Sequence, residues 1–281
     1  MQKTNAQNAP SLRNSSGADL KVKRNVRFTK RNIINKAMNT VVILGTCHEE
    51  TKNYKAEHIV DIMEGLQPSI IFEELPEEWK ADLEFRKKNI TGVESKAIIT
   101  YIQRHPECKV IQYDIQYRNR TLKENNYFEM QKQFNAALEK LYKEGTLTSE
   151  DRLRFTHLYD IYKMRDRSLS NDHVRIINST ISDNLIRYKE KLAYNFYRDI
   201  VRKYEKLNVF KEFVYFIDRF WKIRNEAMVE NVLTALKDKN DDIRSILLCG
   251  YEHREILKRL FIKHKNDIEI KEYWEIDVNR K

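Results

Sequence analysis

Cysteine is scarce in this 281-residue chain, as are long apolar runs. The three cysteines, Cys47, Cys108 and Cys249, cannot all pair and are too far apart for a zinc cluster, which excludes a disulfide scaffold. Each lies in or after an apolar run, so we expect small buried side chains. No stretch approaches about eighteen uninterrupted apolar residues, and the N-terminus has no apolar signal core. These absences predict an intracellular, cytoplasmic protein without a transmembrane segment.

Glycine and proline are also rare, and neither occurs between Gly145 and Gly250. Both residues disfavour helix interiors, so this gap predicts a long helical region. Within and just before it, apolar residues recur at intervals of three and four: Tyr127, Met130, Phe134, Leu138, Leu141, Val174, Ile177, Ile181, Leu185, Tyr188 and Leu192. The spacing predicts about four helices over residues 122–240, with tyrosines and phenylalanines on their inner faces.

The flanks of this region carry strand patterns. Short apolar or β-branched runs bounded by turn residues occur at 41–44, 69–72, 109–113, 246–249 and 268–270. Helical patterns lie between or after them, at 54–66, 77–89, 95–104 and 255–264. Strand and helix in alternation predict an α/β fold with a mixed, largely parallel sheet. We therefore expect one α/β domain over residues 41–281, with residues 122–240 as a large helical insertion or cap.

The basic excess is confined to the N-terminus. Of the formal net charge of +10, residues 1–40 contribute nine Lys or Arg and one acid, which leaves 43 basic and 41 acidic residues for positions 41–281. Residues 1–40 are rich in polar residues and poor in apolar ones, a composition typical of a disordered tail. The alternative is electrostatic binding of nucleic acid, a lipid surface or another partner through this tail.

The segments VVILGTCHEE and SILLCGYEHRE repeat one pattern, an apolar run followed by glycine and, three residues later, histidine. These histidines are His48 and His253. Ligands of open α/β sheets collect at the carboxyl ends of the strands, and glycine permits a sharp turn there. The repetition predicts one shared site, while the alternative is two unrelated surface or helix-capping histidines.

Acidic residues end the neighbouring strands. Glu73 and Glu74 follow the second apolar run, and Asp114 follows the third. Glu77 and Glu78, directly after Pro76, are explained as first-turn acids of a helix. Together with the two histidines, a carboxylate would suit Zn, Mn, Co or Fe and leave room for an activated water. We therefore predict a divalent metal held by the side chains of His48, Glu74 and His253.

An arginine completes the candidate site. Arg224 and Met228 lie four residues apart in FWKIRNEAMVENVL and share a helix face, with Asn225 beside them. This arrangement would place a fixed positive charge beside buried apolar surface. The alternative is an ordinary surface arginine on an exposed helix face.

These motifs, in this order, resemble the TraB, PrgY and GumN group, whose superfamily includes the Tiki proteases and, more distantly, the erythromycin esterase and ChaN families. The matching residues are Gly45, Thr46, His48, Glu74, Leu75, Arg224, Asn225, Met228, Gly250 and His253. The resemblance covers about residues 41–118 and 210–275. It implies an α/β fold of two related halves with the active site between them, and a divalent-metal hydrolase that in Tiki is a protease.

The function predicted from these observations is a metal-dependent hydrolase of a peptide or amide bond. Its ion would be held by His48, Glu74 and His253, with Glu73 as a proton acceptor and Arg224 as a clamp for a substrate carboxylate or oxyanion. Two alternatives stay open. One is a binding regulator that keeps the site without turnover, and the other is nucleic-acid or membrane-surface binding through residues 1–40.

Overall fold

A computed structural model describes residues 38–76, 88, 92–237 and 243–276 of the chain. The basic tail up to residue 37, most of the helix predicted at 77–89, and the acids Glu77 and Glu78 lie outside these residues. The described residues belong to one compact unit, which spans residues 36–281.

Five strands form the sheet: β1 (Asn39–Thr46), β2 (Ile70–Pro76), β3 (Lys109–Asp114), β4 (Arg244–Gly250) and β5 (Ile268–Lys271). Their order is β3-β2-β4-β1-β5, and every strand pair in the described residues is parallel. The predicted α/β class with a largely parallel sheet is confirmed. β1 and β4 lie side by side, with Gly45 opposite Cys249 and Thr46 opposite Gly250. The two GxxH segments therefore leave the sheet next to each other.

Helices on both faces connect the strands: α1 (Ala56–Leu66), α2 (Val93–Arg104) and α9 (Tyr251–Phe261). The chain passes from β1 over β4 to β2, and from β4 over β1 to β5. Helix α1 packs on one face of the sheet, whereas the distal half of α9 packs on the other through Leu257 and Phe261. The strand order β2-β4-β1-β5 has an approximate twofold symmetry that relates β1 to β4 and β2 to β5. This symmetry fits the two halves that the family resemblance implies.

The helices described between β3 and β4 form the cap: α3 (Arg118–Glu124), α4 (Tyr127–Lys143), α5 (Ser149–Asn171), α6 (Val174–Ile177), α7 (Thr180–Lys203) and α8 (Lys211–Lys237), with a 3₁₀ helix at Glu205–Phe210. Cap helices α4, α5, α7 and the first turns of α8 share their own apolar core, which includes Phe134, Leu158 and Phe196. Helix α8 then continues onto the sheet, where Met228 and Val232 are buried. The predicted helical cap is thus observed, with helices from residue 118 to residue 237 in the described part of the chain.

One detail of the helix prediction is wrong. The apolar series that starts at Val174 does not lie on one helix, because α6 ends at Ile177 and Ser179 caps a new helix by accepting a hydrogen bond from the Ser182 backbone N–H. The break rotates the apolar pattern relative to the core, so that Ile181 is 80% exposed and Tyr188 is 55% exposed.

No helix among the described residues is long and apolar enough to cross a membrane. The three cysteines carry no disulfide.

Candidate functional site

The predicted site residues are grouped where the central strands end. His48 follows β1, Glu74 lies near the end of β2, Asp114 ends β3, and His253 lies in the first turn of α9 directly after β4. Arg224 reaches the same place from α8. This location matches the ligand position of open parallel sheets, outside the carboxyl ends of the strands.

His48 is the accessible histidine of the group. Its side chain is 62% exposed, and its Nδ1 lies 2.8 Å from Oε1 of Glu94, at the start of α2. A carboxylate only accepts hydrogen bonds, so Nδ1–H donates to Glu94 and the neutral ring carries its lone pair on Nε2. Among the described residues, Nε2 has no hydrogen-bond partner. This is the arrangement of a histidine oriented by an acid and open to a ligand or water.

The electrostatics of His48 favour proton uptake. The hydrogen bond to Glu94 raises the pKa of His48 above its ordinary value, and the charges of Glu94 and Glu74 add to the effect, while burial and Arg118 oppose it. Burial disfavours the ionised form of Glu94, but the hydrogen bonds from His48 and from the Thr46 hydroxyl outweigh this and lower its pKa. An oriented, basic imidazole is the group that general-base catalysis requires.

The glycine of the second GxxH segment makes room for the histidine of the first. A Cβ atom on Gly250 would lie 2.7 Å from Nε2 of His48 and 3.5 Å from Oε2 of Glu74. The Gly250 N–H also donates to Oε2 of Glu74, at 2.5 Å. The two segments therefore form one site, since the ring of His48 lies against the backbone of Gly250.

Arg224 is the buried centre of the site. Its side chain is 4% exposed and forms a bidentate pair with Asp114, with both N···O distances 2.8 Å. It also donates to Oε1 of Glu74 at 2.5 Å and to Nε2 of His253 at 3.0 Å. The interpretation of Arg224 as an exposed surface residue is wrong. Four of its five N–H groups are occupied, which leaves little capacity for the predicted clamp on a substrate.

His253 is held neutral by its neighbours. Arg224 can only donate, so Nε2 of His253 must accept and Nδ1–H must donate to Oδ1 of Asn225, at 2.5 Å. The pKa of His253 is lowered to about 4, chiefly by burial and also by the charge of Arg224, against the opposing charge of Glu74. Both ring nitrogens are therefore engaged inside the protein, unlike those of His48.

The two adjacent glutamates of β2 have different surroundings, which settles a choice that the motif left open. Glu74 contacts Arg224 and Gly250, whereas Glu73 is 2% exposed and accepts from Ser95 and Gln112. Successive side chains of a strand point to opposite faces, so only one of the pair can join the group. Glu74 is that residue, and the burial of Glu73 gives no support to its predicted role as proton acceptor.

Sequence reasoning missed two residues of the site, Glu94 and Arg118. Arg118 donates to Asp114 at 2.7 Å, is 21% exposed, and is near enough to affect the pKa of His48. No hydrogen bond involves its Nη2 atom within the described part of the chain. The run QYDIQYR contained a signal for Arg118, because it begins in the last residues of β3 and its final arginine follows that strand at the same edge of the sheet. Glu94 lies in a first helical turn, where an acid is explained by the helix dipole alone.

Backbone strain also occurs at this edge. His48 and Tyr117 have φ values of 62° and 61°, in the left-handed region that residues other than glycine seldom adopt. One of these two residues is the accessible histidine itself, and the other immediately precedes the partly exposed Arg118. Such conformations tend to collect at functional sites, where surrounding contacts hold them in place.

The predicted metal ligands do not fit a divalent ion as they lie here. The guanidinium of Arg224 holds Nε2 of His253 and Oε1 of Glu74, the two atoms that would bind the ion with His48. A permanent cation in that position repels a second one. Across residues 38–76, 92–237 and 243–276, no group of three or more His, Cys, Asp or Glu side chains is arranged to hold a metal.

A cavity of about 740 Å³ lies in the cap and reaches the site from its inner side. Its wall includes His253, Asn225 and Trp221, and Trp221 also packs against Arg224, 5.0 Å from ring centroid to guanidinium carbon. This volume is within the range of small-molecule pockets. The cap thus adds a binding space to the residues at the edge of the sheet.

Comparison with known proteins gives no match: no family model, no curated protein and no solved structure is similar to this chain. The resemblance to the TraB, PrgY and GumN group is therefore carried by its motif residues alone.

Proposed function

We propose that the chain is a hydrolase of a peptide or amide bond in which His48 activates the attacking water. The observation that carries this proposal is the His48–Glu94 pair, because it combines an oriented imidazole with an open Nε2. General bases need this combination of reach and a pKa near the working pH.

The chemistry follows from the atoms available. Nε2 of neutral His48 accepts a proton from water while the water oxygen bonds to the carbonyl carbon, and the carbonyl electron pair moves to its oxygen. The resulting imidazolium is stabilised by the ionised Glu94, which holds Nδ1–H. When the tetrahedral intermediate collapses, Nε2–H donates the proton to the leaving nitrogen, which avoids expelling an amide anion.

Arg118 is the residue we assign to the oxyanion. Its Nη1 is held by Asp114, which leaves Nη2 to donate toward an oxygen near His48. Asp114 is itself held by Arg224, so the buried ion pair between them supports the partly exposed Arg118. A preorganised donor of this kind is worth about 10²–10³ in rate in acyl-transfer enzymes.

The proposal is tested with the full-length protein and a panel of peptidyl p-nitroanilides. We expect turnover that falls at least about 100-fold in His48→Ala, with a small decrease in melting temperature, because the His48 side chain is largely exposed but Glu94 loses one hydrogen-bond donor. The matched control is His157→Ala, which removes an exposed histidine of the cap and should retain full activity. Equal activity in the two variants, or no turnover by the native protein, would overturn the proposal.

A further inference from the structure

The cavity in the cap has a wall of unusual chemistry. Nine aromatic rings line it, six of them tyrosines, and they come from helices α4, α5, α7 and α8. Tyr127, Tyr162 and Tyr194 are among these rings. Aromatic faces attract cations through the negative face of the ring. A wall of this composition therefore suits a ligand with an apolar body and a positive group.

Most charges along the wall are already neutralised by partners. Glu252 pairs with Arg165 at 2.5 Å and with Lys189 at 2.9 Å, and Arg165 pairs also with Asp166 at 2.6 Å. At the rim, Glu139 and Lys143 pair at 2.7 Å. The cations of this wall are thus held by carboxylates of the protein.

Glu190 is the exception. It lines the cavity from α7, and no hydrogen bond or ion pair joins its carboxyl group to any described residue. The neighbouring Lys189 is directed to Glu252 instead. Glu255 of α9 is not part of the wall, and its Oε1 pairs with Arg259 at 3.4 Å. Glu190 therefore gives the wall an unpaired carboxylate beside aromatic rings.

The proton affinity of Glu190 agrees with this arrangement. The pKa of Glu190 is raised to about 7, chiefly by burial and also by the charges of Glu255 and Glu252, against the opposing charges of Lys189 and Arg259. An ionised carboxylate that lacks a partner in a partly buried place is unfavourable. A cationic ligand would supply that partner.

We infer that this cavity binds an organic cation, specifically a protonated amine on an aromatic or alkyl body, with the amine held by Glu190 and the body packed among the tyrosines. The inference does not require hydrolysis. Because His253 and Trp221 belong to both the cavity wall and the site at the sheet edge, an amine bound here lies next to that site.

The test is isothermal titration of the full-length protein with 4-phenylbutylamine at pH 8. Its neutral and anionic analogues, 4-phenylbutan-1-ol and 4-phenylbutyrate, are the ligand controls. We expect the amine to bind at least about tenfold more tightly than the alcohol, as charge-assisted hydrogen bonds predict, and the acid to bind least. Equal affinities for the amine and the alcohol would overturn the inference.

Two matched variants locate the amine. Glu190→Gln should remove the preference for the amine over the alcohol, whereas Glu139→Gln, which alters a carboxylate already paired with a lysine, should keep it. A native preference in Glu190→Gln would contradict the assignment. Should Glu190→Gln fail to fold, the native protein is titrated at pH 5.5 as well as at pH 8. Protonation of Glu190 should reduce the preference for the amine over the alcohol at pH 5.5. An equal preference at pH 5.5 and pH 8 would refute the role of Glu190.

The outcome for hydrolysis is separate. His48→Ala should bind 4-phenylbutylamine with native affinity, since His48 does not line the cavity. Amine binding without turnover would leave this inference standing and remove the proposed function. Turnover that depends on His48 without amine binding would do the reverse.

Discussion

Replacing Arg224 by alanine should destabilise the protein strongly. The guanidinium is 4% exposed and donates two hydrogen bonds to Asp114, one to Glu74 and one to His253. Its removal leaves Glu74 without its cation, and leaves the buried Asp114 with Arg118 as its remaining charged partner. Breaking a buried ion pair in this way costs about 3–5 kcal/mol. For a domain of this size the loss corresponds to a decrease in melting temperature of about 6–20 °C.

The assay is urea unfolding followed by circular dichroism, with Arg219→Ala as the control. Arg219 lies on the same helix but is exposed, so its replacement should change stability by less than about 0.5 kcal/mol. Arg224→Lys should recover part of the loss, because an ammonium keeps the charge but cannot form the bidentate pair with Asp114 while reaching Glu74. A loss below about 1 kcal/mol in Arg224→Ala would refute the interpretation of Arg224 as the buried centre of the site.

Four further predictions follow from individual contacts. Gly250→Ala should displace the His48 ring and reduce turnover, with little change in melting temperature. The control is Gly65→Ala, where the added Cβ meets nothing within 4 Å and activity should be kept. Native turnover in Gly250→Ala would count against the shared site. Glu94→Gln should lower the pKa of His48 and shift the acidic limb of the pH–rate profile to lower pH, because the base must be neutral; an unmoved limb would separate Glu94 from catalysis. Glu190 has a pKa near 7 in the folded protein, above its ordinary value. Its contribution to folding stability is therefore fully present below about pH 4.5, where the carboxyl group is protonated, and is lost as the pH rises through 7. Glu190→Gln should raise the free energy of unfolding at pH 8 by about 1–2 kcal/mol and change it little at pH 5. Deletion of residues 1–36 should leave the thermal melt unchanged, and a large decrease would contradict the predicted tail.

The sequence predicted the strands and their carboxyl ends well, because buried parallel strands are continuous apolar runs that turn residues interrupt. It placed His48 and His253 after such runs, and the register of β1 and β4 makes those positions adjacent. Glu74 and Asp114 were found by the same reasoning. Side chains that follow strand ends are predictable because the sheet fixes where they lie.

The sequence could not predict which partners these side chains choose. Arg224 pairs with Asp114 across 110 positions of chain, and His48 pairs with Glu94 across 46. Pairings at such separations depend on how helices pack on the sheet, which local patterns do not encode. The same limit applies to the predicted metal site of His48, Glu74 and His253. No sequence pattern indicated that the buried guanidinium of Arg224 would lie between Glu74 and His253.

The proposed function requires His48 to act as a general base without a metal ion. The most direct measurement is the hydrolysis rate of a cleaved p-nitroanilide by the native protein before and after treatment with a chelator, beside His48→Ala. We expect the same rate with and without the chelator, and a rate at least about 100-fold lower in the variant. A rate that the chelator abolishes and that Zn²⁺ or Mn²⁺ restores would contradict metal-free catalysis by His48 and favour the metal site predicted from the sequence.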